Sequence, residues 1–177
     1  MTDGHGRSVG EVTAVVRDYL ADAGIEFELG GRTGELVVTL PGEKKLRTVV
    51  SLMVGRTVTS VSAFVVRNPD ENHAAFYRFL LRRNLRMPGL AYAVDGPGDV
   101  YVKGEVPNAA VDAAHLDQLL GVVLEAADSP FNDLLVLGFL TSMKKEWAWR
   151  VSRGESTRNL DAFRHLLDGS NRRDTPQ

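Results

Sequence analysis

The sequence predicts an α+β fold in which an antiparallel sheet of about five or six strands is covered by helices on one face. Six short stretches alternate apolar and polar residues, a pattern typical of strands with one buried and one solvent-facing side. The clearest is the stretch 100–106, where Val100, Val102 and Val106 share one side. Tight turns join most of these stretches, which favours antiparallel pairing in a two-layer domain.

The first helix is predicted to begin after Ser8, because Ser8 and Glu11 match a capping box in which each side chain satisfies an exposed backbone amide. Gly24 is its predicted end, since glycine tolerates the left-handed conformation that terminates helices. Between them, apolar residues recur at helical spacing: Val12, Val15, Val16, Tyr19 and Leu20. Residues 1–7 are polar and rich in glycine, and we expect them to form a disordered arm.

Strands follow the first helix in close order. Alternation and turn residues predict an N-terminal strand over residues 25–29, and then strands over 36–40, 46–54 and 57–67. The strand 57–67 carries apolar residues on both faces, which suits a central strand or a strand that another layer contacts. Two further strands, 90–94 and 99–106, are predicted to form a hairpin across the turn from Asp95 to Gly98.

Helices are predicted before and after this hairpin. The run Asn68-Pro69-Asp70 resembles a helix start, with a proline early and an acidic residue in the first turn, and this helix ends near Asn84. A longer helix follows over residues 109–128, Pro130 interrupts it, and a last helix covers 131–151. We expect residues 8–152 to form a single domain and the charged tail, residues 153–177, to be partly helical or disordered.

Composition excludes several classes of function. The chain has 177 residues, of which 44% are hydrophobic and 25% charged, an ordinary balance for one globular domain. Its formal net charge of -2 argues against a nucleic-acid binder, which normally has a basic field. It contains no cysteine, so disulfides, thiolate metal sites and thiol catalysis are excluded, which fits a cytoplasmic protein. The N-terminus lacks a secretory pattern and the most apolar run, residues 134–140, is too short to cross a membrane.

No catalytic or metal-binding constellation stands out. The four histidines are His5, His73, His115 and His165, and no two have metal-ligand spacing. The glycine-rich stretches are better interpreted as hairpin turns than as phosphate or dinucleotide loops, and the hydrolase motif Gly-x-Ser-x-Gly is absent. We therefore expect a protein that is not an enzyme and that needs no metal or cofactor.

The helix 131–151 is apolar on more sides than one core requires. A stripe recurs every four residues: Leu135, Phe139, Met143, Trp147 and Val151. Other apolar residues point elsewhere, so either the helix 109–128 or the tail covers them, or they form a protein–protein surface such as a symmetric dimer. Trp147 and Trp149 face roughly opposite sides, so one can be core while the other contacts a partner. The candidate interface residues are Leu134, Leu137, Leu140, Trp147, Trp149 and Arg150.

The second candidate site is the basic cluster Arg82, Arg83 and Arg86. Three arginines can hold a phosphate or carboxylate through paired hydrogen bonds. The alternative is that these residues, near a helix C-terminus, offset the helix dipole and stay in solvent.

Two long segments carry a family resemblance. The run FYRFLLRRNLRMPGLAYAVDGPGDVYVKGEVP is followed by the helix HLDQLLGVVLEAAD, and then by LLVLGFLTSMKKEWAWR. Their leucine-rich helices and their turns resemble the YbjN family of bacterial proteins, over roughly residues 9–152, and the last segment is similar to actinobacterial members. The resemblance implies a fold like that of type III secretion chaperones, with a sheet that can bind a partner segment and often a dimer. The family supplies no catalytic residues, and its members are described as sensory transduction regulators.

Two functions follow as hypotheses. The first is a cytoplasmic protein-interaction module without enzymatic activity, acting as a chaperone-like or regulatory protein on a protein partner or as a homodimer. The second is a sensor of small anions, such as nucleotides or phosphorylated metabolites, that uses Arg82, Arg83 and Arg86.

Overall fold

A computed structural model describes residues 7–168 and confirms the α+β prediction. Within that range the strands are β1 (Phe27–Leu29), β2 (Glu35–Pro41), β3 (Arg47–Val54), β4 (Val58–Val66), β5 (Leu90–Val94) and β6 (Val100–Pro107). They form a six-stranded sheet in the order β1-β2-β3-β4-β6-β5, and every neighbouring pair is antiparallel. The sheet is open, with β1 and β5 at its edges.

Five α-helices belong to the described part of the chain. They are α1 (Val9–Asp22), α2 (His73–Asn84), α3 (Ala113–Asp128), α4 (Phe131–Arg153) and α5 (Arg164–Leu167), with short 3₁₀ helices at Asn108–Ala110 and Arg158–Phe163. No helix among residues 7–168 combines the length and the hydropathy needed to cross a bilayer.

The sheet buries one face, as the alternating pattern predicts. In β2 every second residue is buried, and Leu36 and Val38 lie opposite Leu52 and Val50 of β3. β4 is a central strand, the first of the two predicted alternatives, but its apolar residues on both faces have a local cause. A register shift between Phe64 and Val66 turns two consecutive valines into the core.

The buried face carries α1 and α3. Val12, Val16 and Leu20 of α1 have no exposed surface, and neither does Val123 of α3. Each such side chain stabilises the fold by roughly 1.5–3 kcal/mol relative to an exposed one. The predicted capping box begins α1: the Ser8 amide donates to the Glu11 carboxylate over 2.7 Å, and the Glu11 amide donates to the Ser8 hydroxyl over 3.3 Å.

The helix start predicted at residues 68–70 is wrong, because α2 begins at His73. Residues 68–72 form a loop, here called the 68–72 loop. Its backbone amides bond to other parts of the chain: the Asn68 amide donates to the Asp99 carboxylate, and the Asp70 amide donates to the Gly138 carbonyl. Asn72 caps α2 in the left-handed conformation, with φ 54° and no side-chain cap. The acidic residues that look like a first helical turn therefore serve tertiary contacts.

The two ends of the described range contact the domain. The Arg7 guanidinium donates to the Val111 carbonyl over 2.6 Å. In the segment predicted as a charged tail, Leu160, Phe163 and Leu167 are buried. The rest of the predicted arm, residues 1–6, and the end of the tail, residues 169–177, lie outside the described residues.

Candidate protein-interaction surface

Helix α2 turns one face to the core and another to solvent. Phe76 and Leu80 are buried, one turn apart, on the inner face. Arg78 and Arg82, also one turn apart, are exposed, and Phe79 between them is half-buried. This four-residue spacing places the two arginines beside each other along one side of the helix.

A groove of about 1030 Å³ lies between α2 and α3. The main contacts of α2 are with α4 and β5, whereas those of α3 are with α1 and strands β3, β4 and β6, so the two helices leave a gap. Most of the groove is apolar, and it is lined by Ala75, Arg78, Phe79, Arg82, Arg83, Leu85, Arg86, Met87, Tyr92, Gly121, Val122, Glu125, Ala126 and Leu137.

Arg83 lies beside two aromatic side chains of this groove. Its guanidinium is 5.5 Å from the centre of the Phe79 ring and is also near the Tyr92 hydroxyl. That hydroxyl donates to the Ala126 carbonyl over 2.7 Å, so β5 and α3 are linked through one buried side chain. Burial raises the pKa of the Tyr92 phenol, which the charge of Arg83 partly opposes. Tyr92 is therefore a neutral donor at neutral pH.

The groove brings together residues from both predicted sites. Arg82, Arg83 and Arg86 all line it, and so does Leu137, which the sequence placed in a separate interface. Sequence reasoning missed Arg78, although its four-residue spacing from Arg82 was a usable signal.

Leu137 reaches the groove because the 68–72 loop packs against the middle of α4. The Asn72 side-chain amide donates to the Leu137 carbonyl over 3.1 Å, and the Asp70 and Glu71 amides donate to the Gly138 carbonyl over 2.9 and 3.2 Å. Glycine allows this close approach, since a Cβ at position 138 would lie 2.8 Å from the Pro69 Cβ and would force the two segments to shift. The loop thus sets the position of α4 relative to α2.

Two carboxylates complete this contact. Glu71 accepts from the amide and the hydroxyl of Thr141, both over 2.7 Å, and Asp70 accepts from the Ser142 hydroxyl over 2.8 Å. The bonds from Thr141 lower the pKa of Glu71. The Arg67 guanidinium and then Ser142 lower the pKa of Asp70 to about 2. Both groups are charged at neutral pH and hold α4 in that form.

The residues proposed as an interface on α4 fall into two groups. Leu134 and Trp147 are buried within the chain, which corrects the expectation that they face a partner. Leu137 and Leu140 are half-buried, and Trp149 is 48% exposed. The opposite orientations predicted for the two tryptophans are thus observed. Arg150 bonds Glu146 over 2.8 Å and the Ser156 carbonyl over 3.0 Å.

Part of the extra apolar surface of α4 is covered by the segment that follows it. Helix α5 packs against α4, Leu167 of α5 is buried, and so is Phe163 at the end of the preceding 3₁₀ helix. The Arg164 guanidinium lies 5.9 Å from the centre of the Trp147 ring. Of the two interpretations of this helix, coverage by the tail therefore accounts for the side that carries Trp147.

The remaining histidines do not assemble a site. His73, His115 and His165 are exposed and belong to three different helices, while His5 lies outside the described residues. Among residues 7–168 no three His, Asp or Glu side chains are grouped as metal ligands.

The six-stranded antiparallel sheet and its helices give this chain an α+β fold like that of type III secretion chaperones. The chain is similar to the ExsC–ExsE complex structure, with a TM-score of 0.52 and 17% identity over 71% of this chain and 95% of the matched chain. It is also similar to the ExoU–SpcU complex of Pseudomonas aeruginosa, with a TM-score of 0.50 and 17% identity over 66% and 94% of the chains. At this identity the likeness shows the fold alone.

The chain belongs to the YbjN family, described as "Putative bacterial sensory transduction regulator", whose profile matches residues 13–135. The structure of YbjN from E. coli aligns with a TM-score of 0.50 and 12% identity over 67% of this chain and 87% of that one. An uncharacterized protein of Mycobacterium tuberculosis is 54% identical over 77% of this chain and 75% of its own length. Another, from Mycobacterium leprae, is 53% identical over 75% and 72%.

Proposed function

We propose that this protein is an interaction module without enzymatic activity, which acts as a chaperone-like or regulatory protein by binding another protein. The observation that carries the proposal is the mostly apolar groove between α2 and α3. An apolar surface of this kind, rimmed by charged residues, is typical of a protein-binding site.

Exposed leucines on α2 and just after it support the same conclusion. Leu81 is 65% exposed, and Leu85, which lines the groove, is 87% exposed. Single exposed leucines are ordinary, but Leu85 extends the apolar lining outward, where a partner can bury it. Two of the structural neighbours with TM-scores of at least 0.50, ExsC–ExsE and ExoU–SpcU, are protein complexes, and this supports a protein as the partner here.

The cellular context follows as part of the proposal. We place the protein in the cytoplasm, which the lack of cysteine fits. A homodimer through the side of α4 that carries the exposed Trp149 stays a hypothesis that a mass measurement tests directly.

Site-specific photo-crosslinking tests the proposal. A photoreactive amino acid at position 85 is expected to trap a protein in cells that naturally express the chain. The variant Leu85→Asp should prevent co-purification of that protein, because it places a carboxylate on the apolar lining of the groove. Leu46→Asp is the matched control, since Leu46 is 88% exposed and does not line the groove.

The opposite result is equally clear. If position 85 traps nothing, and Leu85→Asp and Leu46→Asp co-purify the same proteins as the unmodified chain, the groove is not a protein-binding site. Circular dichroism of both variants checks that the fold is retained, as expected for substitutions at sites this exposed.

A further inference from the structure

The groove has a charge opposite to that of the whole chain. Four of its lining residues are arginines and one is a glutamate, Glu125, whereas the chain has a formal net charge of -2. A local excess of one sign on a surface selects partners of the other sign and speeds their association. The groove therefore favours an acidic occupant.

Three of these arginines have no partner within the described chain. Arg32, Arg67, Arg150 and Arg164 each form an ion pair with a carboxylate. By contrast, no side-chain hydrogen bond or ion pair within residues 7–168 involves the exposed groove arginines, which are Arg78, Arg82 and Arg86. Their guanidinium groups are available to bind carboxylates in the bidentate geometry that arginine favours.

The spacing of these arginines fits a helix better than a single phosphate. Arg78 and Arg82 are one turn apart, about 6 Å along the axis, and Arg86 follows four residues later, in the turn just after α2 ends at Asn84. A phosphate is best held by donors that converge on one point. Carboxylates placed every four residues on a second helix repeat at the same interval of about 6 Å.

The lining beneath the arginines is apolar and of helical length. Phe79, Met87, Val122 and Leu137 are half-buried and together offer an apolar floor. The wall formed by α2 is 12 residues long, which is about 18 Å or three helical turns. An amphipathic helix lays its apolar face into such a groove, with its polar edge along the rim.

We propose that the groove binds an amphipathic helical segment of a partner protein, with acidic residues along the edge that faces Arg78, Arg82 and Arg86. This inference rests on the proposed function and specifies its partner. Phe79, Met87 and Leu137 bury the apolar face of the segment, while the arginines select its charge and fix its register.

Synthetic peptides of about 16 residues, four helical turns, test this specificity. One peptide has leucines at i, i+3, i+4 and i+7 with glutamates four residues apart beside them. A second has lysine in place of each glutamate, and a third has the acidic composition in scrambled order. Fluorescence anisotropy with the full chain should show binding of the acidic amphipathic peptide, about tenfold or more tighter than either control. Its affinity should also fall as salt is added.

A charge reversal in the groove provides the decisive variant. Arg78→Glu combined with Arg82→Glu should weaken binding of the acidic peptide by about tenfold or more and should create binding of the lysine peptide. Partly unfolded chains also bind amphipathic peptides, so circular dichroism must show that the variant keeps its fold. A switch in preference from the acidic to the lysine peptide in a folded variant cannot come from misfolding, even if the variant is less stable. Arg17→Glu, on the exposed side of α1, is the matched control and should change neither affinity.

Four results would overturn the inference. In the first, the acidic, lysine and scrambled peptides bind equally. In the second, inorganic phosphate at low millimolar concentration displaces the acidic peptide from wild type while the charge reversal leaves peptide affinity unchanged, which indicates a small-anion site. In the third, neither the unmodified chain nor the variant binds any peptide, and the charge reversal converts a dimer to a monomer. That result would indicate that a second copy of the chain occupies the groove.

A fourth result separates this inference from the proposed function. If a protein still crosslinks at position 85 after the charge reversal, this inference is rejected and the proposed function remains intact.

Discussion

Replacing Gly138 with alanine tests how tightly the 68–72 loop packs on α4. In an exposed helix this substitution stabilises by about 1 kcal/mol, because alanine loses less conformational freedom on folding than glycine. At 138, however, the new Cβ would lie 2.8 Å from the Pro69 Cβ and 3.0 Å from two carbons of the buried Phe76 ring. Neither neighbour is the free end of a flexible chain, so the backbone must move, and overpacking of this kind costs about 1–3 kcal/mol.

The expected outcome is a net loss of about 1 kcal/mol in the free energy of unfolding. Gly121→Ala is the matched control, because Gly121 also lies inside a helix but a Cβ there meets no atom within 4 Å. This control should gain about 0.5–1 kcal/mol. The two variants should therefore differ by about 2 kcal/mol, which for a chain of this size is a difference of about 4–8 °C in melting temperature.

Urea unfolding followed by tryptophan fluorescence measures both free energies, and circular dichroism gives the melting temperatures. Equal stabilities for the Gly138→Ala and Gly121→Ala variants would refute the reasoning, since they would show that the loop can retreat from α4 without cost.

Three further predictions concern pH and the end of the chain. Asp70 and Glu71 have lowered pKa values in the folded state. The stability that they contribute is therefore present above about pH 4.5 and is lost as the pH falls toward 2. The double variant Asp70→Asn, Glu71→Gln should flatten the dependence of the unfolding free energy on pH over that range. Burial lowers the pKa of Lys45 from 10.5 to about 8. Between these pH values the unfolded chain binds more protons than the folded chain, so stability rises with pH. Lys45→Met should remove this rise in urea titrations, and an unchanged slope of unfolding free energy against pH would contradict the prediction. Phe163→Ala should lower the free energy of unfolding in urea by about 3 kcal/mol, because Phe163 is buried. Leu166→Ala, at a more exposed neighbouring site, should lower it by less than about 1 kcal/mol. Equal losses of stability would show that the segment after α4 does not pack as a unit.

The candidate site was only half visible in the sequence. The cluster of Arg82, Arg83 and Arg86 is local, so the linear chain shows it directly. The opposite wall, with Val122 and Glu125, comes from a helix about 40 residues later, and no local pattern indicates which face of that helix meets α2. A shared groove arises only when both helices pack on β5 and its neighbours.

Leu134 is a second example of a residue whose environment the sequence alone did not decide. The sequence indicated correctly that its helix is apolar on several sides, but the choice between core and partner depends on what lies next to each side. Leu134 has no exposed surface, and Trp147 is covered with the help of residues after α4, whereas Trp149 stays half exposed. Helical periodicity assigns residues to faces and does not assign neighbours to those faces.

Local interactions were sufficient to determine the strands, the capping box at Ser8 and the end of α2 at Asn84, because periodicity and capping depend on residues only a few positions apart. Tertiary structure decided the late start of α2 at His73 and the groove, because hydrogen bonds and packing between residues tens of positions apart override local preference. The carboxylates of residues 70 and 71 accept hydrogen bonds from Ser142 and Thr141 of α4. These bonds are more favourable than the interaction that the same carboxylates would make with the dipole of a helix beginning there.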